Sequence, residues 1–168
     1  MTAIRNPAVA LGVVASSFLL ALGLSAGMLP EPVATHFRGD GTPDGWMSRA
    51  GYLAFLVLLG ASVSMLVACA GWALQLLPPW LISIPNRAYW LAPARRCETL
   101  AFLQCHLLWL ACLMVGFFLA LHLLTVGANE LVPVRLPTTW LILVLGGFVG
   151  ALGIWIGILV GRFRRRLR

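Results

Sequence analysis

The amino-acid sequence predicts an all-α membrane protein with four transmembrane helices, a structured outer loop and an interfacial inner loop. Apolar residues make up 61% of its 168 residues and charged residues only 10%, against roughly 45–50% and about 25% in ordinary soluble domains. Four apolar runs are each long enough to cross about 30 Å of hydrocarbon, which takes about 20 helical residues. The charged residues are concentrated outside these runs.

The four predicted spans form a single domain of residues 1–168, because a chain of this length has room for about one domain. An alternative for the first run is a secretory signal peptide, since Arg5 precedes it. Its apolar part is longer than the roughly 7–15 residues of a signal h-region, so a retained helix is the favoured interpretation. The predicted spans lie at about residues 7–29, 51–77, 100–126 and 138–160.

A polar, turn-rich insert separates the first two spans and carries most of the candidate chemistry. Its prolines end the first helix, because proline lacks a backbone donor and restricts the residue before it. The glycines that follow predict two consecutive turns, at residues 39–41 and 42–45. The four-residue spacing of His36, Asp40 and Asp44 is therefore not a helical face, and their proximity depends on how the loop folds.

The loop between the second and third spans, residues 78–99, mixes aromatic and arginine side chains, which suits the lipid headgroup zone. We expect this inner loop to lie along the membrane surface. His106 in the third span is expected to be a packed, hydrogen-bonded core residue rather than a proton relay. The candidate residues of the inner loop are Asn86, Arg87, Tyr89, Trp90, Arg95 and Arg96.

The fourth span carries five glycines at steps of four, three, four and four residues, which places them on one side of a helix. Small residues allow helices to approach closely in lipid. The stripe is expected either to pack inside the bundle or to form the seam of a homodimer. It consists of Gly146, Gly150, Gly153, Gly157 and Gly161.

The arginine distribution predicts the orientation of the chain. Short basic flanks are held in the cytoplasm, which puts both termini and the inner loop inside and the insert outside. Nucleic-acid binding is not expected despite the net charge of +7, because the basic tail has one aromatic residue for base stacking. The basic residues after the fourth span are Arg162, Arg164, Arg165, Arg166 and Arg168.

Two segments resemble a known family. The first reads PVATHF at residues 32–37, GTPDGW at 41–46 and SR at 48–49, and the second reads IPNRAYWLAPARR at 84–96. Together they resemble a bacterial integral membrane domain of unknown function found at the N-terminus of SdpI-like toxin-immunity proteins. The resemblance implies a protein of the bacterial cytoplasmic (inner) membrane that protects against a secreted toxic peptide and recruits a cytoplasmic repressor.

The leading hypothesis is a non-enzymatic protein that senses or blocks a toxic peptide and reports to a cytoplasmic regulator through the inner loop. Aromatic side chains on a tight loop suit such recognition, and membrane lipid would surround the spans. The predicted recognition loop consists of His36, Phe37, Asp40, Asp44 and Trp46.

Two other classes of function stay open. One is a metal-dependent membrane hydrolase or peptidase that binds zinc or another divalent ion through His36, Asp40, Asp44, His122 and Glu130. No HExxH motif is present, so no cofactor is expected by default and no catalytic residue is assigned. In the simplest interpretation the two aspartates cap turns and His36 bonds a carbonyl. The other class is a structural or assembly subunit that uses the glycine stripe.

Overall fold

The computed structural model describes residues 6–164. It confirms the all-α prediction, because four of its helices are long and apolar enough to cross a membrane. Arg5 and the tail residues Arg165, Arg166 and Arg168, which the orientation prediction used, lie outside the described residues. The order of elements is α1 (Pro7–Ser25), β1 (Val33–Phe37), β2 (Pro43–Met47), α2 (Arg49–Leu76), a 3-10 turn (Pro79–Leu81), α3 (Arg87–Trp90), α4 (Pro93–Glu130) and α5 (Thr138–Arg164).

Local sequence explains where the helices begin and end. The Asn6 and Ser48 side chains cap α1 and α2 by accepting hydrogen bonds from backbone N–H groups in the first turn. Pro7 and Pro93 occupy the first helical turn, where the missing donor is not needed. The main difference from the predicted spans is α4, which extends well beyond 100–126 at both ends.

The central helix of the bundle is α4, which packs against α1, α2 and α5. Its 38 residues make it about 57 Å long at about 1.5 Å per residue, more than the hydrocarbon core of about 30 Å. It therefore reaches both ends of the molecule. We call the end that carries β1 and β2 the hairpin end, and the end that carries α3 and the last turn of α5 the α3 end.

Each end has its own hydrophobic core, and the two cores account for the arrangement of the helices. The first buries side chains of α1, β1, α2 and α4: Phe18, Leu22, Leu29, Val33, Tyr52, Leu56, Val115, Phe118 and Val126. The second joins the inner loop to α4 and α5 through Ile82, Leu91, Leu100, Leu103 and Phe163.

The insert between the first two spans forms an antiparallel hairpin of β1 and β2. The turn expected at residues 39–41 is present, but the second turn expected at 42–45 is wrong, because residues 43–47 form β2. The register pairs Val33 with Met47. The β-branched and aromatic residues of β1 favour a strand. The strand that pairs with it, β2, covers most of the segment for which the glycine and proline pattern predicts a second turn.

The glycine stripe lies on the side of α5 that faces away from α4. A Cβ atom added at any of the five glycines would meet no atom within 4 Å. The side chains that contact α4 include Phe148, which stacks on Phe117 at 4.2 Å, and Trp155, which stacks on His106 at 4.3 Å. The expected packing of the stripe inside the bundle is therefore not observed among residues 6–164, and the homodimer seam stays a prediction.

Candidate functional site

One amide side chain holds the hairpin against α4. The Ala34 backbone N–H donates to Asn129 Oδ1, and Asn129 Nδ2 donates to the Ala34 carbonyl, both at 2.9 Å. Asn129 thereby takes the place of a neighbouring strand at the outer edge of β1, and a third bond to the Thr125 carbonyl fixes its orientation. Asn129 is not among the predicted site residues, although an amide in the last turn of a long apolar helix is a signal that the sequence contains.

The tip of the hairpin is anchored to the linker between α4 and α5. Leu136 N–H donates to the Gly41 carbonyl at 2.9 Å, and Arg135 Nη2 donates to the Asp40 carbonyl at 3.0 Å. Gly41 has a φ of 85°, and a Cβ there would overlap the Leu136 carbonyl. Asp40 caps the turn as expected, since it accepts from the Thr42 hydroxyl and backbone N–H, and these bonds lower the pKa of its carboxyl.

Asp44 joins two side chains of the opposite strand and its extension. Its Oδ1 is 2.5 Å from His36 Nδ1, and its Oδ2 accepts from Arg38 Nε at 3.3 Å. The bond with His36, followed by that with Arg38, lowers the pKa of the Asp44 carboxyl. The expected backbone cap by Asp44 and carbonyl bond of His36 are not observed, because strand pairing brings the two side chains together. The His36 side chain is 76% exposed, so this cluster faces water.

The two aromatic residues of the predicted recognition loop lie on the same hairpin. Phe37 is half-buried near the end of β1, whereas the Trp46 residue in β2 is 54% exposed. The hairpin therefore presents an open aromatic ring together with the charged cluster of His36, Arg38 and Asp44.

His122 lies in the core and connects three helices. It is fully buried; its Nε2 is 2.8 Å from Ser25 Oγ in α1, and its Nδ1 is 3.0 Å from Tyr52 Oη in α2. The Ser25 hydroxyl donates to the Leu22 carbonyl, so its single hydrogen is used. The network therefore assigns Nε2–H as the donor to Ser25 and the Tyr52 hydroxyl as the donor to Nδ1.

The contact between Ser25 and His122 has the length of a nucleophile–base hydrogen bond, but it lacks access. A neighbouring cavity of about 260 Å³ is lined by Tyr52 and His122 and not by Ser25, which is 6% exposed. A substrate carbonyl would have no path to the hydroxyl. The contact is structural, because it satisfies polar groups that would be costly unpaired inside a bilayer.

The five predicted metal ligands are not brought together. His36 contacts Asp44, Asp40 bonds its own loop, His122 is in the core and Glu130 is exposed at the end of α4. Across the described part of the chain, no group of three or more His, Cys, Asp or Glu side chains could hold a metal ion.

At the α3 end, Asn86 and Arg87 fix the start of α3. Asn86 adopts a left-handed backbone with φ of 54°, and its Nδ2 donates to the Phe163 carbonyl at 3.1 Å. Arg87 Nη1 donates to the Trp80 carbonyl at 2.9 Å. The Trp90 ring packs edge-on against Phe163 at 5.4 Å. The predicted inner loop is thus tied to the last turn of α5.

The other residues of the inner loop are also engaged. The Arg95 guanidinium lies 3.9 Å from the centre of the Tyr89 ring, and Arg96 Nη2 donates to the Leu77 carbonyl at 2.9 Å. All six predicted residues of this loop therefore contribute to its own structure, which leaves the exposed Arg87 and Arg95 as its most accessible cations.

His106 is a packed, hydrogen-bonded residue, as expected. Its Nε2 donates to the Trp155 carbonyl at 3.0 Å, and Trp155 Nε1 donates to the His106 carbonyl at 2.9 Å. With the stacked rings, this reciprocal pair ties α5 to α4.

Part of the chain matches a protein-family profile. Residues 12–61 match the profile of a domain of unknown function, DUF1648, over just under a third of the chain. The matched segment runs from α1 through the hairpin into α2, and it includes neither the 84–96 segment nor Asn129. No curated protein and no solved structure matches the chain. The chain is therefore an integral membrane protein whose N-terminal part is similar to this domain of unknown function.

Proposed function

We propose that this chain is an SdpI-like immunity protein that senses a secreted toxic peptide at the hairpin end without catalysis. The observation that carries the proposal is that α4 extends from the hairpin end to the α3 end of the molecule. Its Asn129 holds the hairpin, and its Thr99 donates to the Trp90 carbonyl at 2.9 Å. One continuous helix therefore links a surface suited to recognition with the inner loop. The match of residues 12–61 supports the part of the resemblance that concerns a domain of unknown function.

The hairpin has the features of a peptide-binding surface. Among the described residues, β1 is the only strand paired with β2, so the other edge of β2 is open to a peptide that adds as a further strand. Trp46 stands exposed on that strand, and exposed aromatic residues carry much of the energy of protein interfaces. The charged cluster around Asp44 would help to orient the peptide.

A survival assay tests this proposal. Sensitive bacteria that express the chain are challenged with the toxic peptide against which SdpI-like proteins protect. Trp46→Ala should cost roughly 2 kcal/mol of binding, or about 30-fold in the peptide concentration that kills half the cells. Trp140→Ala is the matched control, because Trp140 is 60% exposed at the start of α5. Equal killing with and without the wild-type chain would refute the immunity function.

The proposal includes an orientation in the bacterial cytoplasmic membrane with both termini inside. The described arginines support it, with more at the α3 end than at the hairpin end. A membrane-impermeant maleimide should label a Gly39→Cys variant in intact cells but not the native Cys97. Labelling of Cys97 in intact cells would show the opposite orientation and contradict the proposal. The α3 end carries Arg87, Arg95, Arg96, Arg162 and Arg164, and the hairpin end carries Arg38, Arg49 and Arg135.

A cytoplasmic regulator is the proposed receiver of the signal. The exposed Arg87 and Arg95 of the inner loop are the contacts we would test first. A repressor should be found in the membrane fraction of cells that express the wild-type chain. The double variant Arg87→Gln/Arg95→Gln should release it into the soluble fraction, and this result would support the role. Release by Arg38→Gln, a control at the other end, would count against a specific contact.

An assembly subunit is the second candidate, and the exposure of the glycine stripe favours it. In a variant without native cysteines, Gly150→Cys should form a disulfide-linked dimer in membranes, whereas Val144→Cys, on the half-buried side of α5, should not.

The metal-dependent enzyme has less support. Elemental analysis of the purified chain beside His36→Ala tests it, and a metal lost in the variant would favour it.

A further inference from the structure

A cavity of about 540 Å³ opens at the α3 end between α3, α4 and α5. The site is independent of the hairpin and of the proposed peptide binding. Its walls come from all three helices: Trp90, Phe102, Gly157, Ile158, Gly161 and Arg162. We call it the Arg162 cavity.

The cation of this cavity is held in place by aromatic rings. The Arg162 guanidinium lies 4.2 Å from the centre of the Phe102 ring and 5.7 Å from that of Trp90. Its Nη2 donates to Glu98 Oε1 at 2.8 Å, and the Arg162 side chain remains 30% exposed. The guanidinium is therefore pre-oriented, and part of it stays open to a further acceptor.

Two donors at the cavity have no acceptor within the described part of the chain. Arg162 Nε and the indole Nε1 of Trp90 are both shielded from solvent and unpaired. Buried donors are normally hydrogen-bonded, so an unpaired one calls for an explanation. Neither atom is accessible to solvent, so neither reaches a ligand in the cavity as the side chains stand. The accessible donors are on the exposed part of the Arg162 guanidinium, a group that suits a phosphate.

Two of the four α5 residues that line the cavity are glycines, Gly157 and Gly161, so no side chain fills these positions. A Cβ atom at Gly157 or Gly161 would meet no atom within 4 Å. The glycine stripe continues from there along the outer side of α5 towards Gly153. This apolar surface without side chains extends from Arg162 towards the middle of α5. An acyl chain could lie along it while its headgroup remains at Arg162.

The charge around the cavity favours an anion. Arg164 follows on the same helix end, and Arg95 and Arg96 lie at the same end of the bundle, whereas Glu98 is the acidic neighbour of Arg162 and its side chain is 77% exposed. Basic pockets between transmembrane helices bind the headgroups of anionic lipids. We propose that the Arg162 cavity binds an anionic phospholipid, with its phosphate on the Arg162 guanidinium and an acyl chain against Gly157 and Gly161.

Native mass spectrometry of the purified full chain tests the site. The delipidated protein is titrated with phosphatidylglycerol, phosphatidylethanolamine, phosphatidylcholine and inorganic phosphate in parallel. Phosphatidylglycerol should be retained in preference to the other three. Arg162→Gln should weaken that retention at least about tenfold, because it removes a charge-assisted hydrogen bond. Arg95→Gln, which removes the same charge at the same end, should have little effect.

Two further variants keep Arg162 and change its surroundings. Gly157→Leu should weaken retention because it fills the open wall, and the thermal midpoint should be unchanged since the added atoms meet open space. Glu98→Gln should strengthen retention by removing the competing carboxylate. Equal retention of the zwitterionic lipids, equal binding of inorganic phosphate, equal effects of Arg162→Gln and Arg95→Gln, or a dimer that excludes lipid would each overturn the proposal.

Discussion

Replacement of Asn129 with alanine should release the hairpin from α4. The amide pairs with both polar backbone groups of Ala34, a residue that is 1% exposed. The truncation therefore leaves one buried N–H and one buried C=O without a partner. Each such group costs about 1–3 kcal/mol, so local docking of β1 should weaken by at least about 2 kcal/mol, which is about 30-fold in an equilibrium constant.

Hydrogen exchange followed by mass spectrometry measures this release. In Asn129→Ala the Ala34 amide should exchange about 30-fold faster than in the wild type, whereas peptides from α5 should be unaffected. Asn129→Asp should be intermediate, because it keeps the acceptor for the Ala34 N–H and loses the donor to its carbonyl. Glu130→Ala, at an exposed neighbouring position, is the control. Wild-type protection of the Ala34 amide in Asn129→Ala would refute the reasoning.

Three further perturbations follow from the same geometry. Gly41→Ala should lower the thermal midpoint, because φ is 85° and the Cβ would overlap a carbonyl, whereas Gly39→Ala has open space and should be neutral; equal effects would contradict this. The pKa of Asp44 is lowered, so the stability from its carboxylate is complete above the unfolded pKa of about 3.9 and is lost as pH falls through the lower folded value. Thermal unfolding at falling pH should therefore show a smaller acid loss for Asp44→Asn, and superimposable pH profiles would argue against the pairing. Tyr52→Phe removes the hydroxyl that bonds His122 Nδ1 and should cost about 0.6–1.7 kcal/mol on unfolding in detergent, and a more stable variant would argue against a stabilising bond.

The insert between α1 and α2 shows which features local sequence predicts and which it does not. The turn at residues 39–41 and the cap by Asp40 follow from local chemistry, because an aspartate two residues before an N–H can bond it within the loop itself. The strand at residues 43–47 could not be read in this way. Its conformation depends on pairing with β1, and the same pairing brings Asp44 to His36.

The buried contacts of α4 depend still more on the tertiary structure. His122 is separated by 97 residues from Ser25 and by 70 from Tyr52. No local spacing encodes such contacts. The sequence shows that Asn129 is an amide near a helix end, but not its role, because the strand edge that it completes is 95 residues away along the chain.

The sequence by itself determined the class of protein, the number of spans and the limits of the insert. Those properties follow from the length of apolar runs and from proline and glycine, which act locally. Only the tertiary structure decided that the insert is a hairpin held by Asn129, that the five metal candidates do not converge on one site, and that the glycine stripe lies on the side of α5 opposite its contacts with α4. These depend on which helix faces pack together, and in lipid that choice is made by close packing and hydrogen bonds between distant residues rather than by hydrophobicity.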